Sequence, residues 1–173
     1  MEVIAPIDET LQQQVLARTR QFIDLGSELL GREFAEVPVA FDLRGRTAGM
    51  YRVKGRERLI RYNPWIFAKY FDDGMNVTVP HEVAHYLVDC LHGLRRVKPH
   101  GAEWRRIMTA FGADSRATAR FDLDGIPQRR QRQFAYRCAC QPHQLGSRRH
   151  FKVLRGEARY RCRDCGDLLV ASS

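Results

Sequence analysis

The stretch Thr78-Val-Pro-His-Glu-Val-Ala-His-Tyr-Leu-Val-Asp-Cys-Leu-His-Gly93 decides how the rest of the chain is read. Written on a helix, His81 and His85 stand one turn apart on one face, because side chains four residues apart lie one above the other. Two imidazoles so placed grip a single metal ion, and Glu82 beside them is positioned to take a proton from a metal-bound water, the HExxH arrangement. Thr78 as N-cap, Pro80 in the first turn and Gly93 past the end predict the helix boundaries. Ala84, Leu87, Val88 and Leu91 recur at helical spacing, so the same helix also carries a stripe for the core.

Three fixed positions are few, and two histidines on a helix also serve simply to satisfy hydrogen bonds in a core. A metal site needs a third ligand, and His92, His100 and Glu103 compete for the place. On a helix rising ~1.5 Å per residue His92 sits roughly 10 Å above His85, too far for Zn–N bonds of ~2.1 Å. The compact version of the motif, with a third histidine six residues after the second, is absent, since Leu91 stands there. His100 opens His100-Gly-Ala-Glu-Trp104 after a loop, Leu94 to Pro99, able to turn the chain back, and Glu103 would instead complete a site of two histidines and a glutamate.

Upstream, Thr10 to Leu30 reads as an amphipathic helix with a Thr10–Gln13 capping box and Gly31 at its end. Val37-Pro-Val-Ala-Phe-Asp-Leu43 alternates like a half-buried strand, with Pro38 arguing for an edge. Met50 to Val53 and Leu59 to Tyr62 flank a charged turn and predict a hairpin, giving a small antiparallel sheet beside the histidine helix. Pro64 to Phe71 predicts a short helix, and Gly101 to Phe111 another with Trp104, Ile107 and Met108 inward. Ala113 to Arg132 is polar, turn-rich and basic at Arg129-Arg-Gln-Arg132, which predicts a linker.

The tail carries a second cysteine-based pattern, Tyr136-Arg-Cys-Ala-Cys140 and Tyr160-Arg-Cys-Arg-Asp-Cys-Gly166. A C-x-x-C followed by glycine wraps one metal ion, so Cys138, Cys140, Cys162 and Cys165 are expected to hold a structural Zn2+, with His143 as a substitute ligand. Strands are expected at Arg148 to Leu154 and Glu157 to Arg161, joined by a turn at Arg155-Gly156. A redox reading of the C-x-x-C lacks its βαβ setting. The lone Cys90 reads as a small buried thiol.

With 173 residues, 44% hydrophobic and 28% charged, the chain has room for one domain plus a small module and is unlike disordered chains. Five cysteines in this arrangement suit metal ligands in a reducing compartment better than disulfides. No apolar run approaches the ~18 residues of a membrane span and Met1-Glu-Val-Ile-Ala-Pro6 has no basic leader, so no membrane role and a cytoplasmic location are expected. The net charge is +9, and residues 127–173 hold eleven Arg and Lys against three Asp and Glu, leaving residues 1–126 near neutrality. Arg137, Arg148, Arg149, Lys152, Arg159 and Arg161, interleaved with Tyr136, Phe151 and Tyr160, combine cations for phosphates with rings for bases and predict a DNA contact.

His81-Glu-Val-Ala-His85 followed by His100-Gly-Ala-Glu-Trp104 and the cysteine-paired tail resembles the SprT family of metalloproteases; Arg46-Thr-Ala-Gly49 and Ile60-Arg-Tyr-Asn-Pro64 fit its amino-terminal half. The resemblance implies an α+β, zincin-like core over residues 1–126 and a basic β zinc ribbon over 127–173. It further implies His81, His85 and His100 as ligands of a catalytic Zn2+, Glu82 as the catalytic residue, and DNA-associated or DNA-crosslinked proteins as substrates. The rival from another class is a non-catalytic, zinc-containing DNA-binding or regulatory protein. A fourth protein ligand such as Glu103 closing the ion would favour that rival.

Overall fold

A computed structural model describes residues 4–116, 121–128 and 132–172, so parts of the expected linker, including Arg129 to Gln131, lie outside the described residues. The chain forms two compact units, residues 1–128 and 129–173. In the first, helix α1 (Glu9–Leu30) starts at Asp8, whose carboxylate accepts the Leu11 N–H at 2.9 Å. Asp8 therefore caps the helix and Thr10 falls inside its first turn, in place of the Thr10–Gln13 box. Gly31, at φ 60°, ends it as expected.

Strands β1 (Val39–Ala40), β2 (Gly49–Lys54) and β3 (Glu57–Tyr62) form one sheet in the order β1-β3-β2. The β2–β3 hairpin turns at Gly55-Arg56 as the sequence indicates. The sheet is nonetheless mixed and not antiparallel throughout, because β1 pairs parallel with β3 on the side away from β2. Only two residues of the expected Val37–Leu43 strand pair, and Pro38, which has no N–H, contributes its carbonyl to Ile60. The loop between β1 and β2 crosses to the far edge and is held by Asn63. The fully buried Asn63 side-chain amide donates to the carbonyls of Gly45 and Thr47, while its carbonyl oxygen caps α2 (Pro64–Lys69).

After the short α3 (Phe71–Asp73), a π-helical turn at Gly74–Thr78 runs without a break into α4 (Val79–His92). Thr78 has helical angles and makes no capping hydrogen bond, so the expected N-cap is replaced by this wider turn. Pro80 explains it: lacking an N–H, it cannot close a regular bond to the preceding turn. Gly93 ends α4 with its N–H on Asp89 O. Val79, Val83, Ala84 and Leu87 are completely buried between α1 and α5 (Ala102–Ala110), which adds Trp104, Ile107 and Met108. Residues 121–128, expected in the linker, pack on α2: Lys69 pairs with Asp122 at 2.8 Å, and Tyr70 Oη donates to Asp122 O.

The second unit is a sheet of β4 (Gln133–Arg137), β5 (Pro142–Gly146) and β6 (Val170–Ala171), ordered β5-β4-β6 and antiparallel. The strand expected at Arg148–Leu154 is instead helix α6 (Ser147–Leu154), and of Glu157–Arg161 only Arg161 joins a β-bridge, to Leu168. The helix places one ring inward: His150 stacks on Phe134 at 3.6 Å and bonds Tyr136 Oη through Nδ1 at 3.0 Å. A strand would set alternate residues inward, whereas here the inward ring is one helical turn beyond Ser147. No helix among the described residues is long and apolar enough to cross a membrane.

Candidate metal centre and active site

On α4 the one-turn spacing brings His81 and His85 together, and the third imidazole arrives from the loop before α5. The Nε2 atoms of His81, His85 and His100 lie 3.0 to 3.2 Å from one another. That triangle is close to the ~3.4 Å edge that Zn–N bonds of ~2.1 Å subtend at a tetrahedral ion. His100 reaches the cluster at φ 56°, the one non-glycine residue with positive φ among those described, so backbone strain is spent on aiming this ring. Trp104, 1% exposed, forms the floor: its ring centre lies 4.7 Å from those of His81 and His100, and its Nε1–H donates to His81 O. Neither His92 nor Glu103 belongs to the group, and no further His, Cys, Asp or Glu joins it among the described residues.

Burial pushes His81 down to about 4 and His85 to about 3, with the neighbouring rings adding to it. Burial also lowers His100, helped by the cationic Arg105. All three rings are thus neutral near pH 7, with lone pairs free for a cation. Glu82 is 6% exposed, and burial raises its carboxyl to about 8, against the opposing pull of the Tyr51 N–H that donates to Oε2 at 2.7 Å. A cavity of about 390 Å3 opens in front of these groups, walled by Met50, Tyr51, Val88, Leu94 and Trp104.

In the second unit Cys138, Cys140, Cys162 and Cys165 bring their sulfurs into one group, with Cys138–Cys140 at 3.4 Å and Cys140–Cys162 at 3.7 Å. Sulfurs bound ~2.3 Å from a tetrahedral zinc are spaced by about that much. The backbone N–H groups of Cys165 and Asp164 bring the Cys162 thiol down to about 5, favouring the thiolate that a zinc ion takes. Gly166, at φ 77°, closes the turn with its N–H on Cys162 O. His143 stands outside the four and touches Cys138 Sγ through Nε2 at 3.2 Å.

The SprT-like family matches residues 14–124, and the SprT-like zinc ribbon domain matches residues 132–173. The chain belongs to the SprT-like family. It is 43% identical to Protein SprT of Klebsiella pneumoniae (strain 342) over 93% of each chain, and 41% identical to Protein SprT of Escherichia coli O139:H28, over 93% of this chain and 94% of that one. No solved structure matches it.

In the SprT-like unit, sequence reading missed how β2 holds Glu82. A Cβ on Gly49 would come 2.7 Å from Glu82 Cγ and from Thr78 Cγ2, so only glycine lets β2 approach. Two turns along α4 from Glu82, the buried Asp89 carboxylate accepts Tyr51 Oη at 2.7 Å, Arg58 Nε at 2.8 Å and the Leu94 N–H. Tyr51 is thus tied to α4 through both its backbone and its hydroxyl. The only advance signal was that Gly49 ends Arg46-Thr-Ala-Gly49.

In the SprT zinc ribbon, Arg148, Arg149 and Lys152 lie on α6, with Arg148, Arg149 and Phe151 exposed. Arg137 ends β4, and Arg149 lies over the Tyr160 ring at 5.7 Å. Arg159 is exposed, while Arg161 spends one donor on Gly166 O. Tyr136, 1% exposed, packs the ribbon and is not a platform for a base, which corrects its expected role.

Proposed function

We propose that this SprT-like chain is a zinc-dependent endopeptidase with a zincin-like core, acting on proteins associated with or crosslinked to DNA, and that it carries one catalytic and one structural Zn2+. The observation carrying the reading is the convergence of three neutral imidazoles beside a buried carboxylate at the mouth of a cleft. His81, His85 and His100 would hold the catalytic ion and the four cysteines the structural one. A group of three ligands with no fourth among the described residues supports an ion open to substrate over a closed structural one. When bound, zinc supplies a Lewis acid that polarises the scissile carbonyl and acidifies water.

Glu82 is the proton carrier. Its Oε2 is held by Tyr51 N–H, which leaves Oε1 to take a proton from the attacking water and return it to the leaving amine nitrogen. Burial alone keeps this carboxyl protonated near neutrality, but a divalent cation beside it favours the carboxylate, as Tyr51 N–H already does. Trp104, with Met50, Val88 and Leu94, gives the site an apolar wall. The ribbon's basic residues, Arg148, Arg149 and Lys152 on α6 with Arg137 and Arg159, would bring the enzyme to DNA in the cytoplasm.

The test is cleavage of a DNA-bound protein by wild type and Glu82→Gln, with and without DNA. Glu82→Gln is expected to lose at least ~100-fold in kcat, the scale of general-base catalysis, with its zinc content unchanged. Full activity in that variant would remove Glu82 from the reaction.

A further inference from the structure

Glu82 and Asp89 are the two buried carboxylates among the described residues, and the reaction as read above uses only the first. They lie on one side of α4, two turns and about 10 Å apart. Tyr51 of β2 spans that distance: its N–H donates to Glu82 Oε2 at 2.7 Å and its Oη donates to Asp89 Oδ2, also at 2.7 Å. Arg58 Nε of β3 shares Oδ2 at 2.8 Å. The other oxygen, Oδ1, accepts the Leu94 N–H at 3.2 Å. There the chain has just turned at Gly93, φ 77°, and begins the loop that carries His100 to the other imidazoles.

The Asp89 carboxylate stands in the last turn of α4, where an anion opposes the helix dipole, and burial adds a desolvation cost. A neutral or cationic side chain would serve the helix itself better, so what Asp89 gives the fold lies in its three partners. Two of them, Tyr51 and Leu94, line the cavity of about 390 Å3, one from β2 and one from the loop. Asp89 does not line it and reaches the reaction through them. We propose that Asp89 is a positioning residue: through Tyr51 it fixes the strand amide that holds Glu82, and through Leu94 it fixes the root of the loop that delivers His100. The proposal rests on the peptidase reading of the site. The proton carrier is held by one element and the third imidazole is brought by another, and a single side chain sets both against α4. Arg58, its side chain 43% exposed, balances the charge from outside and bonds to neither Glu82 nor Leu94.

The test uses the zinc-loaded full chain and two readouts, cleavage of a DNA-bound protein and the Zn2+ affinity of the imidazole site, titrated against a chelator in protein that keeps its ribbon ion. Thermal unfolding verifies that each variant is folded at the assay temperature, so a residue that only stabilises the fold would move neither readout. Tyr51→Phe keeps the ring and the amide and removes the tie: kcat and kcat/KM should fall together by roughly tenfold, with KM and Zn2+ affinity unchanged. Asp89→Ala removes both ties, so it should lose as much in kcat and also weaken Zn2+ binding by roughly tenfold or more. Adding Tyr51→Phe to Asp89→Ala should cost little further kcat, because the two changes break one connection. Arg58→Ala should lower the unfolding temperature and leave kcat and Zn2+ affinity as they are. Full kcat in Tyr51→Phe, wild-type Zn2+ affinity in Asp89→Ala, or losses in Arg58→Ala equal to those in Asp89→Ala overturn the assignment. If Asp89→Ala does not fold, Tyr51→Phe decides the matter through kcat. If wild type cleaves nothing, it is the peptidase reading that fails. Asp89 is then judged by Zn2+ affinity alone: weaker binding in Asp89→Ala than in Arg58→Ala supports its role, and equal binding sinks it.

Discussion

Glu82 sits between two opposing influences, an apolar surround that favours the acid and a strand amide that favours the carboxylate, and Gly49 is what lets the strand come that close. Gly49→Ala would drive a methyl group into Glu82 Cγ and Thr78 Cγ2. We expect kcat to fall by at least ~10-fold and stability by about 1–3 kcal/mol, the usual cost of an overpacked contact. Zinc stoichiometry should be preserved, because neither contacted atom belongs to an imidazole. Peptidase assays with urea unfolding check this, and an unchanged kcat would detach the strand from the chemistry. Asp89 makes a pH prediction. Burial would raise its carboxyl, but the hydrogen bonds from Tyr51, Arg58 and Leu94 outweigh it and hold the group below the ordinary 3.8. A pKa lowered by folding adds stability above the unfolded value, about 4, and that stability is lost as pH falls through the folded one. Asp89→Asn should therefore be less stable than wild type at pH 7, with the gap closing below about pH 4, as acid and urea unfolding would show.

At the scale of elements, Asn63 joins three pieces: the β1–β2 loop, the end of β3 and the start of α2. Asn63→Ala leaves the buried Gly45 carbonyl, the part-buried Thr47 carbonyl and the α2 N–H groups without that partner, so a loss of about 2–3 kcal/mol is expected. It should appear as a lower urea midpoint with an unchanged m-value. The elements readable in advance were those whose signal is local. The four-residue histidine spacing, the charged turn inside the hairpin and the glycines after α1 and α4 each act within a few residues. What escaped depended on distant partners. The α6 segment alternates enough to read as a strand, and its helix is set by where Phe134 and Tyr136 receive His150. The direction of β1 depends on a crossover held by Asn63, and the Tyr51–Glu82 contact is made by a backbone amide, which leaves no mark on residue type. His100 was legible as a candidate, but only its φ of 56° turns the ring onto α4.

For the molecule as a whole, the two units differ in what holds them together. The first buries a continuous apolar cluster running from Ile7 to Met108, whereas the second buries Tyr136, Leu145 and Cys162 among its described residues. So thin a core leaves the thiolate group as the main source of the ribbon's folding free energy once metal is bound. The same small unit carries nearly all of the chain's excess charge, and that distribution yields the last prediction. Binding to duplex DNA by counterion release weakens with salt by ~0.9 in log–log slope for each phosphate neutralised. Arg148, Arg149 and Lys152 lie on one short helix with the exposed Phe151, so replacing all three with Ala removes up to three such contacts while leaving His150 and the cysteines in place. The slope measured by fluorescence anisotropy between about 50 and 200 mM salt should then fall by roughly 1 to 3. The single change Arg161→Ala, whose guanidinium already bonds Gly166 O, should move it less. An unchanged slope in the triple variant would move the DNA contact off α6 altogether, leaving Arg137 and Arg159 as the basic residues to test.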